Sequence, residues 1–387
     1  MLWLQMITRR IALAAWVALC ASNALAQESK LPATLTVTAY ETGSNGFSQA
    51  VAVGAMLKKR FGTDLRVLPA GNDVARLAPL KTGRAQASAM GIGTYFAQEG
   101  VLEFATRDWG PQAVQLILSA STCSGQSMGA ANDLGIKSAA DMKGKRVGFV
   151  VGSPAVNQSV LALIAFGGFT PSDLKIVEFA SYGAMMKGVT NNEIDLFFAS
   201  TISGLAKEIE SSPRGITWVP MPAADKAGWA RLQKVAPYFY PHAASCGAGF
   251  AKGQTVETSV YPYPIFMAYG SQDAGTVQAL TSAMLKNYDD YKDAVPGVDG
   301  LEGKRQNLTW TMPYHPGAVR ALSEAKLWTD AAQKHNDGLL QRQSVLGGAW
   351  KEFIATHPPE DRDQFRTAWM KARAAALSKA GLEVLFR

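Results

Sequence analysis

The sequence predicts a two-lobed α/β protein whose C-terminal third is helical, and three observations carry that expectation. Strand-like and helix-like segments alternate from residue 34 to residue 219, the pattern of βαβ units and parallel sheets. They do so in two runs, one on either side of about residue 121. The chain has 387 residues, more than the roughly 250–300 at which one core stops growing. Composition agrees, since 48% hydrophobic and 18% charged residues is the balance of a folded globular chain rather than a disordered one.

The first segment reads as an address. Arg9 and Arg10 precede an apolar run over residues 11–19, and Ala24-Leu25-Ala26 has the small-x-small form of a cleavage site. Residues 1–26 are therefore expected to be a signal peptide, and the mature chain periplasmic. Ser22 and Asn23 end the run short of the roughly 20 apolar residues that a spanning helix needs. Residues 34–40 alternate and are rich in β-branched side chains, so they predict a strand. A Gly/Ser/Asn turn follows, then a helix over 47–60, a strand over 65–68, a helix over 72–80 and strands over 86–90 and 114–119. The second run has strands at 147–151, 175–179, 194–199 and 216–219, with helices at 154–166, 182–190 and 204–211. Pro/aromatic-rich stretches at 237–242 and 261–264 read as loops. Amphipathic helices are expected over 275–291, 317–328, 329–353 and 359–380.

Charge and motifs exclude several classes. Lys plus Arg exceed Asp plus Glu by seven; the loss of Arg9 and Arg10 leaves five, and the surplus forms no basic stripe, so nucleic-acid binding is not expected. The four histidines have no metal-site spacing with the cysteines, and neither metal nor cofactor is expected. Cys123 and Cys246, the cysteines left after the leader, either form one disulfide or remain buried thiols. Gly125-Gln126-Ser127-Met128-Gly129 matches the G-x-S-x-G elbow, which would make Ser127 the nucleophile of an exported hydrolase. That mechanism needs a helix directly after the serine, and residues 130–135 read as a turn. Gly91-Ile92-Gly93 lacks the third glycine of a dinucleotide fingerprint. More telling is a strand, polar turn, helix design at residues 42–45, 71–72, 91–94, 152–153 and 200–203. It places free N–H groups and hydroxyls at the carboxyl ends of strands, where α/β sheets hold small anionic ligands.

Three stretches resemble the TAXI family of solute receptors for tripartite ATP-independent periplasmic (TRAP) transporters. They are residues 136–147 (IKSAADMKGKRV), 192–199 (NEIDLFFA) and 312–318 (MPYHPGA). The likeness runs from about residue 35 to residue 350. It implies a type II periplasmic-binding-protein fold with extra C-terminal helices. Lobe 1 would take residues 27–120 and 265–387, and lobe 2 residues 121–264. It also implies a monomer, not an enzyme, that closes on a small amino acid or organic acid and delivers it to a TRAP-type permease. The family's binding loops fall on Glu41, Thr42, Gly43, Ser44, Asn45, Gly71, Asn72, Ser153, Asn157, Tyr182, Ser200 and Thr201. Glu41 departs from the family's Gly/Thr-rich first loop and would suit a ligand ammonium. A sensing module for a receptor kinase would share all these features.

Overall fold

The computed structural model describes residues 30–386; the leader at residues 1–26 lies outside them. In the first lobe β1 (Thr34–Tyr40) lies between β2 (Asp64–Ala70) and β3 (Ala87–Met90), all three parallel. Helices α1 (Asn45–Phe61) and α2 (Asp73–Lys81) make the crossovers. Each starts on a side-chain cap: Ser44 accepts the Phe47 N–H, and Asn72 the Ala75 N–H, which satisfies N–H groups that a helix cannot bond internally. After α3 (Gly93–Glu99) comes β4 (Val114–Ser119). The chain then crosses to the second lobe.

There the strands are β5 (Gln126–Ala131), β6 (Arg146–Val150), β7 (Lys175–Phe179), β8 (Leu196–Ser200) and β9 (Ile216–Trp218). The helices are α4 (Pro154–Phe166), α5 (Tyr182–Thr190), α6 (Gly204–Glu210) and α7 (Lys226–Val235). A hairpin, β10 (Tyr240–Ala244) with β11 (Val256–Val260), precedes the return crossing to β12 (Ile265–Tyr269), which enters the first sheet between β3 and β4. The two crossings run side by side, with Ala120 N–H donating to Pro264 O at 2.9 Å and Tyr263 N–H to Ala120 O at 2.7 Å. Cys123 and Cys246 are joined by a disulfide, Cα atoms 5.6 Å apart, beside the first crossing.

The sheets are mixed, which corrects the expectation of parallel ones. β12 is antiparallel to β3 and β4, and β5 to β8 and β9. These are the strands that the chain lays down on arriving from the other lobe, with no crossover helix to force parallel pairing. Residues 130–131, read as a turn, belong to β5, and part of the 237–242 loop forms β10. Both sheets have one order: β2-β1-β3-β12-β4 and β7-β6-β8-β5-β9.

The segments that carried the family resemblance are scaffold. Arg146, at the end of the Lys-Gly-Lys-Arg loop, meets Asp195 of the Asn-Glu-Ile-Asp stretch through Nε at 3.1 Å and Nη2 at 2.6 Å, and Arg214 Nη2 adds a contact at 3.4 Å. Burial works against the Asp195 charge, but the Arg146 hydrogen bonds outweigh it and hold the carboxyl below its usual range. A depressed acid supports the fold above its unfolded value and loses that support as pH falls through the folded value. We expect a melting temperature that is level above about pH 5 and falls below about pH 4, with the acid limb shallower in Asp195→Asn. An equally steep limb in that variant would exclude Asp195 as its source.

His315 caps α9 (Pro316–Glu324), its Nδ1 accepting the Gly317 N–H at 3.1 Å. Gly317 packs on α8 (Ala274–Lys286), where a Cβ would come within 2.3 Å of Ala274 O. The long helices α10 (Asp330–Ala355) and α11 (Arg362–Lys379) then pair around Trp350, Phe353, Phe365 and Trp369. They are fastened to the first lobe by Glu99, which is fully buried against Arg342 and Arg373.

Candidate functional site

Three helices of the second lobe point their N-termini at the first lobe, and each meets an acceptor from it. At α4, the Asp73 carboxylate accepts the Ala155 N–H at 2.7 Å and the Ser153 hydroxyl at 3.2 Å. At α5, Glu41 accepts the Gly183 N–H at 2.7 Å. At α6, Gly43 O accepts the Leu205 N–H at 3.3 Å. Main-chain bonds join the lobes as well, Tyr182 N–H to Gly71 O at 2.9 Å and Val74 N–H to Gly152 O at 3.2 Å. The approach at Gly71 is close enough that a Cβ would lie 2.7 Å from the Ser181 Cβ.

Asp73 is the centre of this seam. It is fully buried and paired with the fully buried Arg76 three residues on. The Tyr40 hydroxyl donates to it at 2.8 Å and lies 2.7 Å from Ser153 Oγ. Burial first, then the Asp73 charge, pushes the Tyr40 phenol well above its ordinary value, so it remains a donor. The Arg76 guanidinium carbon sits 3.4 Å from the Tyr40 ring centroid, and Tyr40 stacks on Tyr182 of the second lobe with centroids 5.0 Å apart. Arg76, Tyr40 and Tyr182 thus form one stack across the seam, which adds cation–π and aromatic attraction to the hydrogen bonds.

Cavities follow the same seam. A small central one, about 20 Å³, is lined by Tyr40, Arg76, Tyr182, Ser200, Tyr261 and Tyr263. Two of these residues carry a buried polar atom with no protein partner, Arg76 Nε and Ser200 Oγ. On one flank lies a chamber of about 460 Å³ between Asn45, Ser48, Val295 and Pro296 of the first lobe and Thr201–Gly204, Lys207 and Cys246–Ala248 of the second. Its size is in the range of small-molecule pockets. Asn45 Nδ2, buried and without a partner, belongs to its wall. The other flank is an open groove of about 760 Å³ between Asn72, Glu103, Arg107, Gly152, Asn157 and Glu178.

The residues expected from sequence have unequal means to bind anything. Asn45 and Ser200 line cavities with polar atoms free, and Tyr182 walls the central one. Glu41, Gly43, Gly71 and Ser153 bind the opposite lobe instead. Ser44 and Asn72 cap helices. Asn157 is spent on its own turn, Oδ1 accepting the Val150 N–H at 2.8 Å and Nδ2 donating to Val150 O at 3.0 Å. Thr201 Oγ1 takes the Gly125 N–H at 3.1 Å and donates to Cys246 O at 2.8 Å; Thr42 is exposed. Ser127 sits inside β5, fully buried, its hydroxyl 3.6 Å from Met221 Sδ. That is the reverse of the exposed strand tip a nucleophile elbow requires.

Sequence reasoning missed Asp73, Arg76, Tyr40, Tyr261 and Tyr263. One signal was available: Asp73, Arg76, Leu77 and Leu80 share the helical spacing of a buried face, so a charged pair stands among core positions.

The fold and seam define a class: two α/β lobes of identical sheet order, joined by two adjacent crossings around a polar cleft, which is the type II periplasmic-binding-protein fold. The profile of the NMT1-like family matches residues 41–325, and the chain belongs to that family. No curated protein sequence matches the chain. Solved structures similar to it include an ancestral arginine-binding protein bound to arginine, at 16% identity over 69% of this chain and 100% of that one, TM-score 0.42. The alkanesulfonate-binding protein SsuA from Xanthomonas axonopodis pv. citri bound to MOPS is similar at 14% over 92% and 96%, TM-score 0.40. The periplasmic aliphatic sulphonate-binding protein SsuA from Escherichia coli is similar at 13% over 91% and 89%, TM-score 0.39.

Proposed function

We propose that the chain is an extracytoplasmic solute receptor. It captures a small carboxylate-bearing solute, an amino acid or organic acid, between its lobes and delivers it to a TRAP-type permease. The observation that carries this reading is the seam itself: two lobes joined at paired crossings, with a buried guanidinium Nε–H and a buried hydroxyl at one cavity. Both can donate to a carboxylate, and a buried donor without a partner costs about 1–3 kcal/mol. A solute that satisfies them therefore favours the closed lobes over the open ones, the differential affinity that hinge closure requires. The 460 Å³ chamber, which Thr201 lines next to Ser200 in the chain, has the volume for an amino-acid-sized molecule. The permease is proposed from the resemblance to TAXI receptors.

The test is thermal melting of residues 27–387 against amino acids, dicarboxylates, keto acids and sulfonates. A solute that binds only the folded form, at 100 times its dissociation constant, adds about 2.7 kcal/mol. A shift confined to carboxylates supports the reading, and a flat panel sinks it. Arg76→Lys keeps the charge and loses the Nε donor, so we expect its calorimetric Kd to rise about 10- to 100-fold, the worth of one charge-assisted hydrogen bond. An unchanged Kd would remove Arg76 from the site.

A further inference from the structure

The groups best suited to hold a solute's acid are already holding acids of this chain. The α4 N-terminus, of a 13-residue helix with its Ser153 hydroxyl, carries the Asp73 carboxylate, and the α5 N-terminus carries that of Glu41. Both acids come from the first lobe, and both helices belong to the second. Helix N-termini favour negative charge and offer N–H donors to it. An acid reaching across therefore does what a bound anion does in holding two lobes together. The fit at Asp73 is built from several sides: Tyr40 and Arg76 grip it from its own lobe, Ser153 and Ala155 from the other. Gly93 leaves the room, since a Cβ there would come within 2.7 Å of the Asp73 carboxyl carbon.

We propose that Asp73 and Glu41 form an internal latch, tethered carboxylates that close the two lobes on each other with no solute present. The consequence for binding rests on the receptor reading: a solute enters only after the latch opens, so the latch sets the entry rate and reduces apparent affinity by the fraction of time that it is open. The latch itself does not depend on that reading. With the latch the lobes already meet before a solute arrives, and a bound solute adds to that closure rather than starting it.

The experiment is small-angle scattering of residues 27–387 in solute-free buffer, comparing the unaltered protein with Asp73→Ala and Glu41→Gln. The unaltered protein should show the compact profile calculated for the closed lobes. Asp73→Ala should show a larger radius of gyration. Sodium formate, which restores the deleted carboxylate as a free ion, should return that variant toward the compact profile and raise its melting temperature by about 2 °C relative to equal sodium chloride. The unaltered protein should not respond. Scattering identical between the unaltered protein and Asp73→Ala overturns the latch. Should Asp73→Ala not fold, Glu41→Gln decides, because Glu41 is only half-buried: an enlarged radius supports the latch, an unchanged one overturns it. A flat solute panel would sink the receptor reading and leave these outcomes unaffected.

Discussion

Glu99→Ala is expected to lower the unfolding free energy by about 3–5 kcal/mol. Glu99 is fully buried at the end of α3. Its carboxylate accepts Arg342 Nε and Nη2, each at 2.7 Å, and pairs with Arg373 Nη2, while the Arg373 Nε–H donates to its main-chain oxygen at 3.0 Å. Burial raises the cost of the Glu99 charge, but the two arginines outweigh it and hold the carboxyl below its usual range. Removing it would leave two guanidiniums in a dry site without a counter-charge, which costs far more than a surface pair is worth. Trp369 Nε1–H to Gly100 O at 2.6 Å also anchors α11 at this point. The loss should therefore appear first as release of the C-terminal helix pair. Limited proteolysis should cut within residues 356–361, between α10 and α11, before the lobes unfold. Urea denaturation that moves by less than about 1 kcal/mol would show that the triad is not a fastening.

The contrast between Glu99 and the sheet strands shows what the sequence could reveal. Strands such as β1 and β6 were legible because alternation or a continuous apolar run is local information. β5 and β12 were not. Their sequences, Gln-Ser-Met-Gly-Ala-Ala and Ile-Phe-Met-Ala-Tyr, pair with strands far along the chain, and β5 is built from small residues that also suit turns. The cleft loops were legible by their Gly/Ser/Asn chemistry, since such residues start helices wherever a strand turns into one. Their partners were not. Asp73 and Arg76 share a helix face with Leu77 and Leu80, but that spacing says nothing of Ser153 and Ala155, which reach Asp73 from the other lobe. Glu99, in a seven-residue helix with every position buried, carries no local sign that two arginines more than 240 residues away will reach it.

Reducing the Cys123–Cys246 bond should lower stability by up to about 5 kcal/mol, because it closes a loop of 123 residues and the entropy removed from the unfolded chain grows with the logarithm of loop length. The bond lies where the first crossing enters the second lobe, with Ser245 N–H donating to Cys123 O at 3.0 Å and Thr201 Oγ1 to Cys246 O at 2.8 Å. Those bonds hold the folded geometry without the sulfurs, so the crosslink acts mainly on the unfolded state. Two measurements separate these roles. The urea midpoint of the Cys123→Ser/Cys246→Ser variant, or of the reduced protein, should fall sharply. The local exchange of the Ser245 amide, measured under conditions where global unfolding does not contribute, should stay unchanged. A midpoint that does not move would mean that the unfolded chain already keeps these segments together. Faster local exchange at Ser245 would instead give the disulfide a share in shaping the chamber wall to which Cys246 belongs, and reduction would then weaken solute binding along with the fold.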